Sequence, residues 1–151
     1  MLRAILSVII GYVASVVWVT VTMTAAWFAL GADFAYIEGT YETTISWSVI
    51  MLVLGAIGAV IAGLVVASIA RTVTPVKVLA GIVLVLGLVT AVYYQVGDAT
   101  ADEAEQAVPV DELTMWEAAT VAQPPAWYSY GIPIVGCAGI IIGGRMRRRS
   151  D

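Results

Sequence analysis

The polar side chains best spaced to act together are hydroxyls. Ser15, Thr20, Thr22 and Thr24 lie beside Trp18 within a long apolar run, and Thr20 and Thr24, four apart, share one helical face. Such a set could line a path for a neutral solute. More often Ser and Thr in apolar helices bond their own backbone or a neighbouring helix, and that is the expectation here. Other chemistry is sparse. There is no histidine, so haem, zinc and copper sites lose their commonest ligand. Cys137 is the one cysteine, which rules out an intrachain disulfide and a Cys-based nucleophile–base pair. Asp102, Glu103 and Glu105 could attract calcium, but the spaced oxygens and turn glycine of a recognised loop are missing, so solvated charge is expected. The glycines sit in apolar stretches, without the strand that a phosphate loop requires. No Asp, Glu, Lys or Arg falls in the interior of an apolar stretch, where proton relays and charged-substrate sites need one. These gaps predict a non-enzymatic protein with no cofactor and no metal site.

The elements that hold these residues follow from composition. The chain of 151 residues is 61% hydrophobic and 12% charged, whereas a soluble domain carries about a quarter charged residues. A bilayer core of about 30 Å takes about 20 helical residues. The apolar stretches predict an all-α membrane protein, a single four-helix transmembrane domain. Its spans cover about 4–30, 45–70, 76–96 and 127–144, with outer loops 31–44 and 97–126. The first run exceeds the roughly 7–15 residues of a signal-peptide core, so it is expected to be retained, tilted or projecting outward. The compact turn 71–75 predicts a tight hairpin of spans two and three, with Pro75 suited to a helix start. Span four is expected to be the shortest. Pro133 within it removes a backbone bond to the Ser129 carbonyl, predicting a bend near the outer end that accommodates packing.

Charge orients the spans. All seven basic residues (Arg3, Arg71, Lys77, Arg145, Arg147, Arg148 and Arg149) flank the spans on one side, and ten of the eleven acidic residues fall in the outer loops. Short cationic segments stay in the cytoplasm, so both termini are expected inside. The pI of 4.6 arises from those loops and gives no reason to expect nucleic acid. The tail from Arg145 to Arg149 gains roughly 1 kcal/mol per charge beside anionic headgroups, and is expected to be a topology anchor.

Aromatic residues also gather on the outer side. Trp27, Tyr36, Tyr41, Trp47, Trp116 and Trp127 combine apolar rings with polar handles suited to the headgroup region. They predict an aromatic, acidic cap and a possible partner surface. Within loop 97–126, Thr100 with Glu103 and Thr114 with Glu117 have capping-box spacing. They predict short helices over 101–107 and 111–122, divided by Pro109 and closed by Pro124 and Pro125. Leu113, Trp116 and Thr120 share a face, as in a helix resting on the interface.

Small residues mark where helices touch. Gly55, Ala59, Gly63 and Ala67 recur every four residues, with Gly58 and Ala62 alongside; Gly136, Gly139 and Gly143 repeat the theme in span four. In lipid, apolar burial gives no net drive between helices, so close backbone approach and dispersion take over. Residues 54–63 align without gaps on 135–144. Convergent use of small residues explains this more simply than duplication of a two-helix hairpin.

The opening Met1-Leu2-Arg3-Ala4-Ile5-Leu6 and Gly11-Tyr12 are followed by Leu30-Gly31-Ala32-Asp33 and Gly39-Thr40-Tyr41-Glu42. With the ending 143–149, they resemble small, uncharacterised four-span bacterial membrane proteins. The resemblance covers most of the layout and implies a multi-pass protein of a bacterial plasma membrane; it brings no activity and no functional residues. The leading expectation is an accessory or assembly subunit whose partners are the lipid bilayer and other membrane protein subunits. The alternative is a small oligomeric channel or transporter for a neutral solute.

Overall fold

Backbone amides have no water to bond in a bilayer, so a long apolar segment must satisfy them internally, as a helix does. The computed structural model describes residues 2–70, 72–97 and 112–149. Its helices are α1 (Leu2–Leu30), α2 (Ala32–Ala35), α3 (Ile45–Ala70), α4 (Thr74–Gly97), α5 (Met115–Val121) and α6 (Ala126–Arg149). Four of them, α1, α3, α4 and α6, are long and apolar enough to cross a membrane. With 29 residues, α1 is about 44 Å long at 1.5 Å per residue, well beyond the bilayer core.

Two expectations about the spans need correction. The last helix is not the shortest: α6 has 24 residues, as many as α4, because helix continues through the arginine tail. Arginine is a good helix former, so the end of apolar sequence did not end the helix. Nor do α3 and α4 form a tight hairpin. Although only a short turn joins them, α3 packs mainly on α6 and α1, while α4 packs mainly on α6. The bundle order is α1–α3–α6–α4, which puts α3 and α4 on a diagonal. Small-residue complementarity decided the neighbours, and connection length did not.

The α3–α6 crossing brings backbones together. Both helices run from the cap end of the bundle to the basic end, so the contact is parallel. A Cβ on Gly63 would collide with the Ile140 carbonyl, and one on Gly143 with the Val60 carbonyl; a Cβ on Gly139 would lie 2.8 Å from that of Ala59. Gly63 therefore pairs with Gly143, one residue away from the register in which the two sequences align. Behind this crossing, Ala62, Val66, Leu79, Ala80 and Ile140 form a buried core. α1 enters that core through Ser7 and Gly11, the two buried residues on its length. Gly11 rests on Val66, with the Ala62 carbonyl 3.3 Å and a Leu79 methyl 3.4 Å from where its Cβ would be.

The opposite end is closed by the loops. Gly31, at φ 81°, breaks the chain between α1 and α2, a backbone state that glycine adopts without steric cost. Residues 36–43 then turn back on themselves, with Ile37 N–H donating to Glu42 O at 2.9 Å and Thr44 N–H to Ala35 O at 2.9 Å. Thr43 N–H donates to Gln123 O at 3.1 Å, and Gln123 N–H to Tyr41 O at 2.8 Å. These bonds join the two loop regions. α5 docks beneath them, its start fixed by the expected capping box. Thr114 Oγ1 accepts from Glu117 N–H at 3.4 Å, and the Glu117 carboxylate accepts from Thr114 N–H at 2.9 Å. The expected helix over 101–107 and the carboxylates of 102–105 lie outside the described residues.

Candidate functional site

Under the cap, the bundle holds a cavity of about 400 Å³. α1 contributes Ser15, Val19, Thr22 and Met23; α3 contributes residues from Trp47 to Ala59; α6 contributes Tyr128, Ile132 and Gly136. Among the described residues, α4 reaches it only through Val83, and the cap contributes Tyr36, Thr43 and Ala122. No carboxylate, amine, guanidinium or thiol among the described residues lines it. Among the described residues, no group of His, Cys, Asp and Glu could hold a metal ion. The cavity borders the buried core: Ala59, Val83 and Ile140 line it and pack in the same cluster as Val66 and Leu79.

The span-one hydroxyls divide. Ser15 and Thr22 line the cavity, whereas Thr20 and Thr24 do not. Ser15 Oγ donates to Tyr12 O at 2.8 Å, and Thr22 Oγ1 to Trp18 O at 2.8 Å. Both hydroxyl protons are thus spent on their own helix, which leaves lone pairs rather than protons to offer a ligand. Trp18 instead reaches across: its indole lies over Gly58 and donates Nε1–H to Leu54 O at 3.0 Å. Gly58 makes this possible, because a side chain there would meet the indole at 2.6 Å.

The small-residue ridge serves two neighbours rather than one. Ala59 and Gly63 face α6; Gly58 and Ala62 face α1. Ala67 is buried in the core at the basic end. A Cβ on Gly136 would lie 3.3 Å from a Val83 methyl on α4. Gly55 departs from expectation: nothing lies within 4 Å of its Cβ position, and it lines the cavity. The ridge spirals because a four-residue step overshoots the 3.6-residue turn, which turns its first member away from α6.

The expected aromatic surface divides as well. Tyr36 and Trp47 are 6% and 5% exposed and cannot serve as a docking face. With Ala35 and Ala118 they are the core of the cap, and Trp27 meets each edge-on, with ring centroids 6.2 Å apart. The Tyr36 hydroxyl donates to Ala118 O at 2.8 Å, a buried bond, and burial pushes its pKa up to about 12. Trp116 and Trp127 remain outward, 61% and 45% exposed, and Tyr41 is half-buried. α5 turns Ala118 inward and leaves Trp116 and Thr120 outside.

No protein-family model, curated protein or solved structure matches this chain.

Several residues at this site gave little sign of themselves in the sequence. Thr43 Oγ1 and Ser48 Oγ lie 3.1 Å apart and buried; Thr44 Oγ1 accepts from Trp47 N–H at 3.1 Å. The dense hydroxyls of Thr43, Thr44, Ser46 and Ser48 around a predicted helix start were the available signal, since such residues favour N-caps.

Proposed function

We propose that this chain is a non-enzymatic membrane protein that acts as an accessory or assembly subunit, packed beside larger membrane protein subunits. The observation that carries this reading is a cavity with no ionic side chain among its described lining residues. It sits above the close helix crossing at Gly63 and Gly143, and its described lining offers no charged group to activate a proton. Trp116 and Trp127 supply exposed aromatic area for a partner at the cap. The basic end faces the cytoplasm of a bacterial plasma membrane under the positive-inside rule, placing both termini inside and α5 at the far interface. The test is purification of the full chain in mild detergent. A larger complex of fixed composition, lost on Trp116→Ala, is expected.

The neutral-solute reading competes on one observation, that Ser15 and Thr22 line the cavity. A lone homo-oligomer that passes neutral solute into liposomes, with flux abolished by Thr22→Val, would replace the accessory reading with the transporter. Orientation is checked separately, by single-cysteine labelling at Glu38→Cys on a Cys137→Ala background. Labelling only from the cytoplasmic face would reverse the topology.

A further inference from the structure

A second concavity, about 650 Å³, opens at the basic end between the start of α4 and the last turns of α6. Its floor is apolar: Ala67, Val76 and Gly144 are buried there. Its rim is cationic: Lys77 from α4 and Arg145 from α6, both exposed, with Arg147 beside them. Among the described residues, no carboxylate lines it. Two features bring these cations together. α6 stays helical past its apolar span, and Gly144 admits Val76 so closely that a Cβ would stand 2.6 Å from it.

Lys77 and Arg145 carry like charges around one groove, and these repel unless an anion lies between them. A topology anchor needs cations near the span ends but does not need them gathered around one concavity. Arg3 illustrates the difference, since it sits at the same end of the bundle on α1 and does not line the groove. At the end of a membrane-spanning bundle, the anion at hand is the phosphodiester of a lipid headgroup. The apolar floor suits the first carbons of its chains.

We propose that this groove binds the head group of an anionic phospholipid, with Lys77 and Arg145 on the phosphate. The residues sit on two different helices, so a bound lipid bridges α4 and α6 at their basic ends.

The test uses the full chain in nanodiscs of phosphatidylcholine doped with phosphatidylglycerol, followed by native mass spectrometry to count retained lipid. Phosphatidylglycerol should be retained over phosphatidylcholine. Lys77→Gln and Arg145→Gln should each weaken that retention about fivefold, the effect of one cation near a headgroup. Arg3→Gln should leave it unchanged, and Lys77→Arg and Arg145→Lys should preserve it. Three results would overturn the proposal. Equal loss with Arg3→Gln would reduce the effect to general surface attraction. Retention indifferent to headgroup would remove the anion. Inorganic phosphate binding as tightly as the lipid in neutral micelles would make this a free-anion site. If a glutamine variant fails to fold, the charge-preserving variants decide: loss of retention in folded Lys77→Arg and Arg145→Lys would count against the groove.

Discussion

α3 behaves differently along its two halves. Toward the basic end, Gly63 lies against the backbone of α6 with no room for a methyl group. Two turns nearer the cap, Gly55 faces open space at the wall of the cavity. Both belong to the same four-residue repeat. The difference lies in what stands opposite: Gly63 meets Ile140 and Gly144 beside Gly143 of α6, a second small-residue surface, whereas no surface comes close to Gly55. Small spacing on one helix offers a contact; a matching groove on another completes it. The half with the matched pair is closed by dispersion between backbones. The other is held by aromatic rings and hydrogen bonds in the loops, around a void.

The largest test of this contrast is Gly63→Leu, which should lower stability by about 1–3 kcal/mol, the usual cost of overpacking. The atom it strikes is backbone carbonyl, which cannot swing aside. Melting in detergent and in bilayers measures it, and an unchanged profile would mean that the crossing is not closed. In the cap half, Tyr36→Phe removes a buried donor and takes that bond from Ala118 O. A loss of about 1–2 kcal/mol is expected, confined to loop and α5 amides in hydrogen exchange. Spread of that loss to α3 and α6 near Gly63 would show that the halves are one cooperative unit.

Titration should separate the halves too. The Thr114 hydroxyl and amide hold the Glu117 carboxyl below its usual value of 4.5, so its stabilisation of α5 is present above that value and lost as pH falls through the lowered one. Tyr36 works in the other direction. Its raised pKa keeps the bond to Ala118 protonated, and this contribution declines as pH rises from 10 towards about 12. The Gly63–Gly143 crossing contains no carboxylate, so acid should loosen the cap first. Glu117→Gln should flatten the acid limb in circular dichroism or exchange. The smallest effect belongs to Gly55→Ala, expected within about 0.5 kcal/mol of wild type. A destabilisation comparable to that of Gly63→Leu would erase the distinction between the halves.

Much of the fold was legible because a bilayer admits few options. The four apolar runs became α1, α3, α4 and α6 within a few residues of their expected ends, and the Thr114–Glu117 spacing marked α5. What stayed hidden was partner choice. A short turn suggested α3 against α4, but Val76 and Leu79 of α4 are branched and bulky, whereas α6 presents Gly139 and Gly143 to the glycines of α3. The aromatic residues announced a cap, yet composition could not say that Tyr36 and Trp47 would be its interior and Trp116 its exterior. Trp18 was seen only as a neighbour of hydroxyls. Its reach to Leu54 depends on Gly58 of a different helix, a relation visible only once the helices are placed.

The α3–α6 contact also sets a schedule. Ribosomes deliver α3 long before α6, and α1 and α4 cannot offer the missing groove at Gly63. For the interval between, the nascent chain carries the glycine face of α3 without the α6 surface that matches it. The cap bond between Tyr36 and Ala118, 82 residues apart, can form only after α5 has been made. Assembly of this chain therefore ends with a late locking step, and truncation before Gly139 should leave α3 without the surface that Gly63 packs against.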